Sequence, residues 1–158
     1  MEIRLATLSD VESISALNMD VQNIHAEALP HIFKHISDPG FAVPYVTEQM
    51  NQPDNYFFIA NINGEDVGYI FAHVTRRPDS AYMHPWNFVY INQISVKPAY
   101  QGRGCGAALI QAVRDLAREQ GITTVAMDTW FFNEKAQAFF AHEGFTMFNM
   151  RMWMQIDA

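Results

Sequence analysis

The most chemically suggestive stretch of this chain runs Val96-Lys97-Pro98-Ala99-Tyr100-Gln101-Gly102-Arg103-Gly104-Cys105-Gly106-Ala107. An alternating apolar run ends at Val96, a short loop follows, and glycines lead straight into a helical pattern. The first turn of a helix exposes unpaired N–H groups and carries about half a positive charge. Glycines remove the Cβ atoms that would hold a ligand away, so backbone amides reach phosphate oxygens. Arg103 adds a mobile positive charge. The chemistry implied is pyrophosphate binding by main-chain groups. Two rivals fit the same letters. One is a tight strand-to-helix turn with no ligand. The other is a dinucleotide fingerprint, Gly102-x-Gly104-x-x-Ala107, with Asp128 at the end of the next strand. Against the fingerprint, Lys97 to Gln101 separate the glycines from their strand, the motif lies two-thirds along the chain, and too few residues follow it for the rest of a doubly wound domain.

These residues need elements to hold them. Residues 2–6 read as a first strand. A helix begins at Ser9, where Ser9 and Glu12 have capping-box spacing, and Val11, Ile14, Leu17, Val21 and Ile24 carry it to about Ala28. Residues 30–53 predict short helical pieces near 32–36 and 46–50, broken by Asp38-Pro39-Gly40. Residues 55–62 and 65–76 flank Asn63-Gly64, the signature of a two-residue type I′ hairpin. A loop over 77–87, a strand over 88–96, a helix over 104–120 capped by Gly121, a strand over 123–130 and a helix over 134–142 follow. Residues 145–156 predict one or two last strands. The order β-α-α-β-β-β-α-β-α-β implies an α/β (α+β) chain, one mixed sheet flanked by helices, as a single domain over 1–158.

With 158 residues, about half of them apolar, the composition is that of an ordinary globular protein. The formal charge of −7 disfavours nucleic acid, whose binding rests on basic faces, and favours a cationic substrate. A single cysteine, Cys105, excludes an intrachain disulfide and fits a reducing compartment. The N-terminus lacks an apolar signal core, and no apolar run approaches the 18 or so residues of a membrane span. The expectation is a cytoplasmic protein with no membrane partner.

The glycine loop resembles the GNAT superfamily of N-acetyltransferases. Gln101-Gly102-Arg103-Gly104-Cys105-Gly106 matches its most recognisable motif at every fixed place, after a strand ending Val96-Lys97-Pro98. Asn133, Ala136, Phe139, Phe140, Gly144 and Phe145 have the spacing of its downstream motif. The resemblance implies that the mixed sheet is mostly antiparallel, and it implies acetyl-CoA as cosubstrate and an amine as acceptor, with no metal. It implies that the backbone of Ile94, Ser95 and Val96 pairs with the pantetheine arm, and that a β-bulge in that strand aims an N–H at the thioester carbonyl. It gives the diphosphate to the amides of Gln101, Gly102, Arg103, Gly104, Cys105, Gly106 and Ala107, and a cofactor contact to Asn133, which also suits a helix cap. Phe140 departs from the family: a Tyr is usual there as the acid for the leaving thiolate, and Phe carries no such proton. Phe140 is left to pack against the cofactor or the core.

An alkylamine with pKa near 10.4 must lose a proton before it attacks, so a base is required. The strand segment Tyr90-Ile91-Asn92-Gln93-Ile94 lacks the Glu that many family members use. Candidates elsewhere are His25, Glu27, His84 and Asp128, each of which also has an ordinary structural explanation. His31 and His35 lie one helical turn apart without the Glu a zinc peptidase needs. Tyr82, Trp86 and Trp130 are candidates for an aromatic acceptor wall, since aromatic faces attract ammonium groups, or for a hydrophobic cover over the sheet. Met150 to Met154 suit a homodimer contact or a core strand. The resemblance thus predicts an N-acetyltransferase; without the strand Glu and the Tyr, a non-catalytic acyl-CoA-binding module is the alternative.

Overall fold

The computed structural model describes residues 1–156 and divides into two units, Met1–Asp128 and the chain from Thr129 onward. The first unit holds the sheet. Its strands are β1 (Glu2–Leu5), β2 (Asn55–Ile62), β3 (Glu65–Arg77), β4 (Trp86–Val96) and β5 (Val125–Met127), in spatial order β1-β2-β3-β4-β5. The first three pairings are antiparallel and β4 with β5 is parallel. The mixed, mostly antiparallel sheet is therefore present. Asn63 (φ +53°) and Gly64 (φ +86°) make the hairpin turn that Asn-Gly predicts.

Helices α1 (Val11–Ala28) and α2 (Val43–Met50) cover one face. Ile14 and Leu17 of α1 and Val46 of α2 pack with Phe57 and Ile59 of β2 and Tyr69 and Phe71 of β3. The Phe57 and Phe71 rings stack at 4.2 Å. Side chains alternate across a strand, so Phe58 lies on the opposite face, where it shares a groove with Ala108 and Ala112 of α3 (Cys105–Glu119). The α3 stripe Leu109, Val113 and Leu116 is buried, as its helical spacing predicts.

Several boundaries differ from the sequence expectation. A 3-10 turn, Leu8–Asp10, precedes α1, and the capping pair is Thr7 with Asp10 instead of Ser9 with Glu12: Thr7 N–H donates to the Asp10 carboxylate at 2.8 Å. Arg4 grips the same carboxylate through two bonds of 2.8 and 2.7 Å, which selects Asp10 over Glu12. Residues 32–36 form no helix. Asn23 of α1 bonds both main-chain groups of Ile36, and Gln22 bonds Lys34 O, so side chains satisfy the backbone that a helix would otherwise satisfy internally. The strand expected over 123–130 shortens to Val125–Met127, the part that finds a partner in Val89–Ile91.

In the second unit, α4 (Glu134–His142) has the boundaries the sequence predicts, and Gly144 closes it at φ +88°. Residues 145–156, expected as strands, carry no strand: no ladder among the described residues includes them, and extended chain becomes sheet only where a neighbour takes up its N–H and C=O groups.

Candidate active site

β4 changes character partway along. Phe71 faces Gln93 but Ala72 faces Ile91, so Asn92 is an extra residue, a β-bulge. The bulge exchanges which main-chain groups face which neighbour. Before it, Val89 N–H donates to Thr124 O (3.0 Å), on the β5 side; after it, Lys97 N–H donates to Val67 O (2.8 Å), on the β3 side. Bonded residues alternate along an antiparallel ladder. Gln93 and Ser95 therefore face β3, while Ile94 and Val96 face the other edge, which β5 covers only over Val89–Ile91. The bulge lies two residues before Ile94, and it is what turns the Ile94 and Val96 backbone outward. Ser95 itself is buried, and its hydroxyl donates to Leu17 O (2.7 Å), tying α1 to the strand.

Glycine is needed opposite this segment. A Cβ on Gly68 of β3 would lie 2.8 Å from Ser95 O and 3.0 Å from Val96 Cγ2. Beyond Val96 the chain makes a 3-10 turn, Pro98–Tyr100. Glu65 of β3 pins it by accepting from Lys97 Nζ (2.8 Å) and the Tyr100 hydroxyl (2.6 Å), bonds that hold the Glu65 carboxyl below its ordinary pKa. Gln101 Nε2 reaches back to Val96 O (2.9 Å). Gly102 and Gly104 take φ of +73° and +82°, the left-handed region that costs other residues strain. A Cβ at either would meet nothing within 4 Å, so the space beside the loop is open. Cys105 is buried as α3 begins, while Arg103 is exposed with its guanidinium 5.5 Å over the Tyr100 ring.

A line of polar side chains crosses the sheet beside the bulge. Asn18 of α1 donates to the Tyr69 hydroxyl and, at 3.0 Å, to Gln93 Oε1, which also accepts from Tyr69 (2.9 Å). Burial raises the Tyr69 pKa, so its hydroxyl is a fixed donor. Next along β3, half-buried His73 lies opposite Tyr90 in register, ring centroids 5.4 Å apart, with Nδ1 2.7 Å from the Asn92 amide. Burial lowers the His73 pKa, and the Asn92 bond opposes this in part. The Tyr90 hydroxyl donates to Asp128 Oδ2 at 2.8 Å.

Comparison with known proteins places this geometry. The Acetyltransferase (GNAT) family matches residues 19–145. The chain belongs to the GNAT family. Among curated relatives, the uncharacterized N-acetyltransferase YhfO of Bacillus subtilis is 23% identical over 145 residues, covering 92% of this chain and 89% of that protein. The N-alpha-acetyltransferase RimI of Mycobacterium tuberculosis is 31% identical over 65% of this chain and 60% of its own length. The chain spans 60% and 62% of the length of two further uncharacterized N-acetyltransferases, from Lactobacillus delbrueckii and Bacillus subtilis. The fold is shared with the tetramutant BH1408 protein of Bacillus halodurans, at TM-score 0.93 and 20% identity over 99% of this chain and 100% of that one. It is also shared with the aminoglycoside 6′-N-acetyltransferase AAC(6′)-IG of Acinetobacter haemolyticus, at TM-score 0.72 and 14% identity over 100% and 99%.

Within this GNAT chain the base and acceptor candidates lie on several segments, Trp130 in the second unit and the others in the first. His25 is half-buried on α1 with its ring 5.1 Å from Phe33, and burial lowers its pKa. Glu27 is exposed on the same helix, and His84 is exposed in the 78–85 loop. Asp128 meets the polar line through Tyr90. Tyr82 is 97% exposed. Trp86 packs on Phe88 at 4.5 Å and carries the Arg77 guanidinium 5.4 Å over its ring, so a cation already uses it. In the second unit Trp130 lies 6.3 Å from Phe132, and Asn133 Oδ1 accepts from Ala136 N–H (3.1 Å) as the α4 cap. Phe140 is buried against Phe139 (5.2 Å) and Phe145 (5.8 Å). No cluster of three or more metal-ligating side chains occurs among the described residues, and none of their helices is long and apolar enough to cross a membrane.

Sequence reasoning missed His73, Asn92 and the Asn18–Tyr69–Gln93 group. One signal was present: His73 is the polar residue within the apolar run of a strand otherwise buried from Val67 to Val74. Its link to Asn92 depends on the bulge, which breaks the period-two pattern used to assign faces.

Proposed function

We propose that the protein is an N-acetyltransferase that moves the acetyl group of acetyl-CoA to a primary amine of a small molecule or protein by direct attack on the thioester. The observation that carries this is the continuous track formed by the outward-turned backbone of Ile94 and Val96 and the glycine-turned N-terminus of α3. An amide-bearing arm fits a strand edge that β5 leaves unpaired, and a diphosphate fits the amides of a helix N-terminus beside open space. In this reading Ile94 and Val96 hold the arm by main chain, with Ser95 between them turned to β3 contrary to the sequence expectation, and the amides from Gly102 to Ala107 hold the diphosphate, the Gln101 N–H being given to Pro98 O at 3.3 Å. Asn133 and Phe140 are carried over from the family resemblance, as is the treatment of residues 1–158 as one acetyltransferase domain, which the family match across 19–145 supports. The cosubstrate supplies the activated acetyl group; the chain supplies orientation and removal of the amine proton.

The acceptor class is a cationic amine in a cytoplasmic setting. The net charge of −7 supports it, as do relatives named for aminoglycoside and diaminobutyric acid acetylation. Tyr82, Trp86 and Trp130 are each candidates for acceptor contact, and His25, Glu27, His84 and Asp128 for the base. Trp86→Ala and Trp130→Ala, made singly, raise acceptor KM where that ring binds the amine. The deciding experiment measures thiol release from acetyl-CoA over polyamines, aminoglycosides, amino acids and peptide N-termini, alongside calorimetry with CoA. Binding with turnover supports the enzyme. Binding without turnover supports the alternative, an acyl-CoA-binding module, which the buried, hydroxyl-free Phe140 favours. No heat with CoA would sink both. The protein is also proposed to form a homodimer through its C-terminal segment, where Met150, Met152 and Met154 are 68%, 85% and 87% exposed.

A further inference from the structure

We propose that His73, held by Asn92 at the β4 bulge, is the base that takes the proton from the acceptor amine. The inference rests on the acetyl-transfer reading above.

Asn92 is the bulge residue itself, the point from which β4 turns the backbone of Ile94 and Val96 to its open edge. The imidazole tied to Asn92 therefore sits at the head of the track proposed for the thioester arm. Asn92 is exposed and His73 is half-buried, so an amine can reach the pair from solvent. The two have the separation of a hydrogen bond, 2.7 Å from Nδ1 to the amide. A half-turn of the amide places Oδ1 where Nδ2 lies, since the two ends have the same shape. With Oδ1 in that place Nδ1 carries the proton and Nε2 offers its lone pair.

The surroundings suit a neutral base. Asn55 of β2 lies opposite His73 in register and gives its amide to Gln49. Tyr90 of β4 presents its ring, and its hydroxyl proton is directed at Asp128. Tyr69, two turns of the pleat back on the same strand, is bonded to Asn18 and Gln93. The covering helices carry Tyr45 and Glu48 on α2 and His25 on α1. None of these charges enters among the causes that set the His73 pKa, which are burial and the Asn92 bond.

The step balances. His73 Nε2 takes one N–H proton of the ammonium, and the freed lone pair forms the C–N bond. The C–S bond breaks, its electron pair leaves on sulfur, and the second N–H proton neutralises the thiolate. His73 then returns its proton to solvent.

Three variants test this. His73→Gln keeps a polar side chain without a basic ring nitrogen; kcat is expected to fall roughly a hundredfold or more, with CoA affinity by calorimetry unchanged. Asn92→Asp offers only oxygens to Nδ1 and places a negative charge beside the ring. The His73 pKa, read by NMR of the imidazole in the free protein, is expected to rise by about one unit or more, and the acid limb of kcat/KM to move with it. Asn92→Ala is expected to lower kcat and to move the limb to lower pH, since burial then acts on the ring without the opposing Asn92 bond. A His73→Gln enzyme within threefold of wild type, or an Asn92→Asp enzyme whose NMR pKa moves while its pH limb stays, overturns the proposal and leaves the acetyltransferase reading intact. A wild-type protein that binds CoA but acetylates no amine overturns both.

Discussion

Tyr69 anchors the polar group beside the bulge, because its buried hydroxyl joins α1, β3 and β4 through Asn18 and Gln93. Tyr69→Phe removes that hydroxyl but leaves the Asn18–Gln93 bond (3.0 Å) in place. We expect urea unfolding to show a loss of about 1–2 kcal/mol, the usual cost of one buried hydrogen bond. Asp10 sets a pH dependence of the opposite kind from a buried histidine. The Arg4 bonds hold its carboxyl below the ordinary value, so the folded chain binds its proton less readily than the unfolded chain. That stabilisation is complete above about pH 4 and is lost as pH falls further, toward the folded pKa. Asp10→Asn should flatten this part of the stability–pH curve and cost about 1 kcal/mol at pH 7, modest because Arg4 is partly exposed. At this scale the sequence revealed residue types well and partnerships poorly. The Gly102 and Gly104 signals were legible because positive φ is a local demand. Asn18 and Gln93 are 75 positions apart, and nothing local announces their bond.

The elements turn on β4 and its neighbours. Gly68→Ala puts a Cβ 2.8 Å from the main-chain oxygen of Ser95, which cannot swing aside as a side chain would. Strand separation should cost about 1–3 kcal/mol in thermal or urea unfolding. Because Val96 adjoins the proposed track, CoA affinity should weaken in the same variant. Gly104→Ala acts differently. There is room for the methyl, but φ of +82° is strained for an L-residue, so the first turn of α3 should rotate away from its binding geometry. Calorimetry should register about a tenfold loss of CoA affinity with little change in Tm, a loss of about 1.4 kcal/mol. Helices with clear apolar stripes, α1 and α3, and the Asn-Gly hairpin were legible in the sequence. The segment over 32–36 and the short β5 were not, since side chains of α1 hold the first and the reach of β4 limits the second.

For the molecule as a whole, charge and the C-terminal segment carry the expectations. A net charge of −7 should draw cationic acceptors, so their KM should rise between low and physiological salt while that of a neutral amine stays level. Sedimentation should find a dimer, and a chain ending at Phe145 should sediment as a monomer; two identical monomeric profiles would remove the homodimer from the proposal. The sequence by itself determined the order of most elements, the hairpin and the glycine loop, because periodicity and positive-φ turns are written over a few neighbouring residues, and its two short motifs carried the resemblance to the family. Only the tertiary structure decided that Asn92 bulges, that Ile94 and Val96 therefore face the edge that β5 leaves unpaired among the described residues, and that His73 meets Asn92. A bulge belongs to two strands in register, and side-chain partnership is fixed by how strands align and helices pack, quantities that no single stretch of sequence contains.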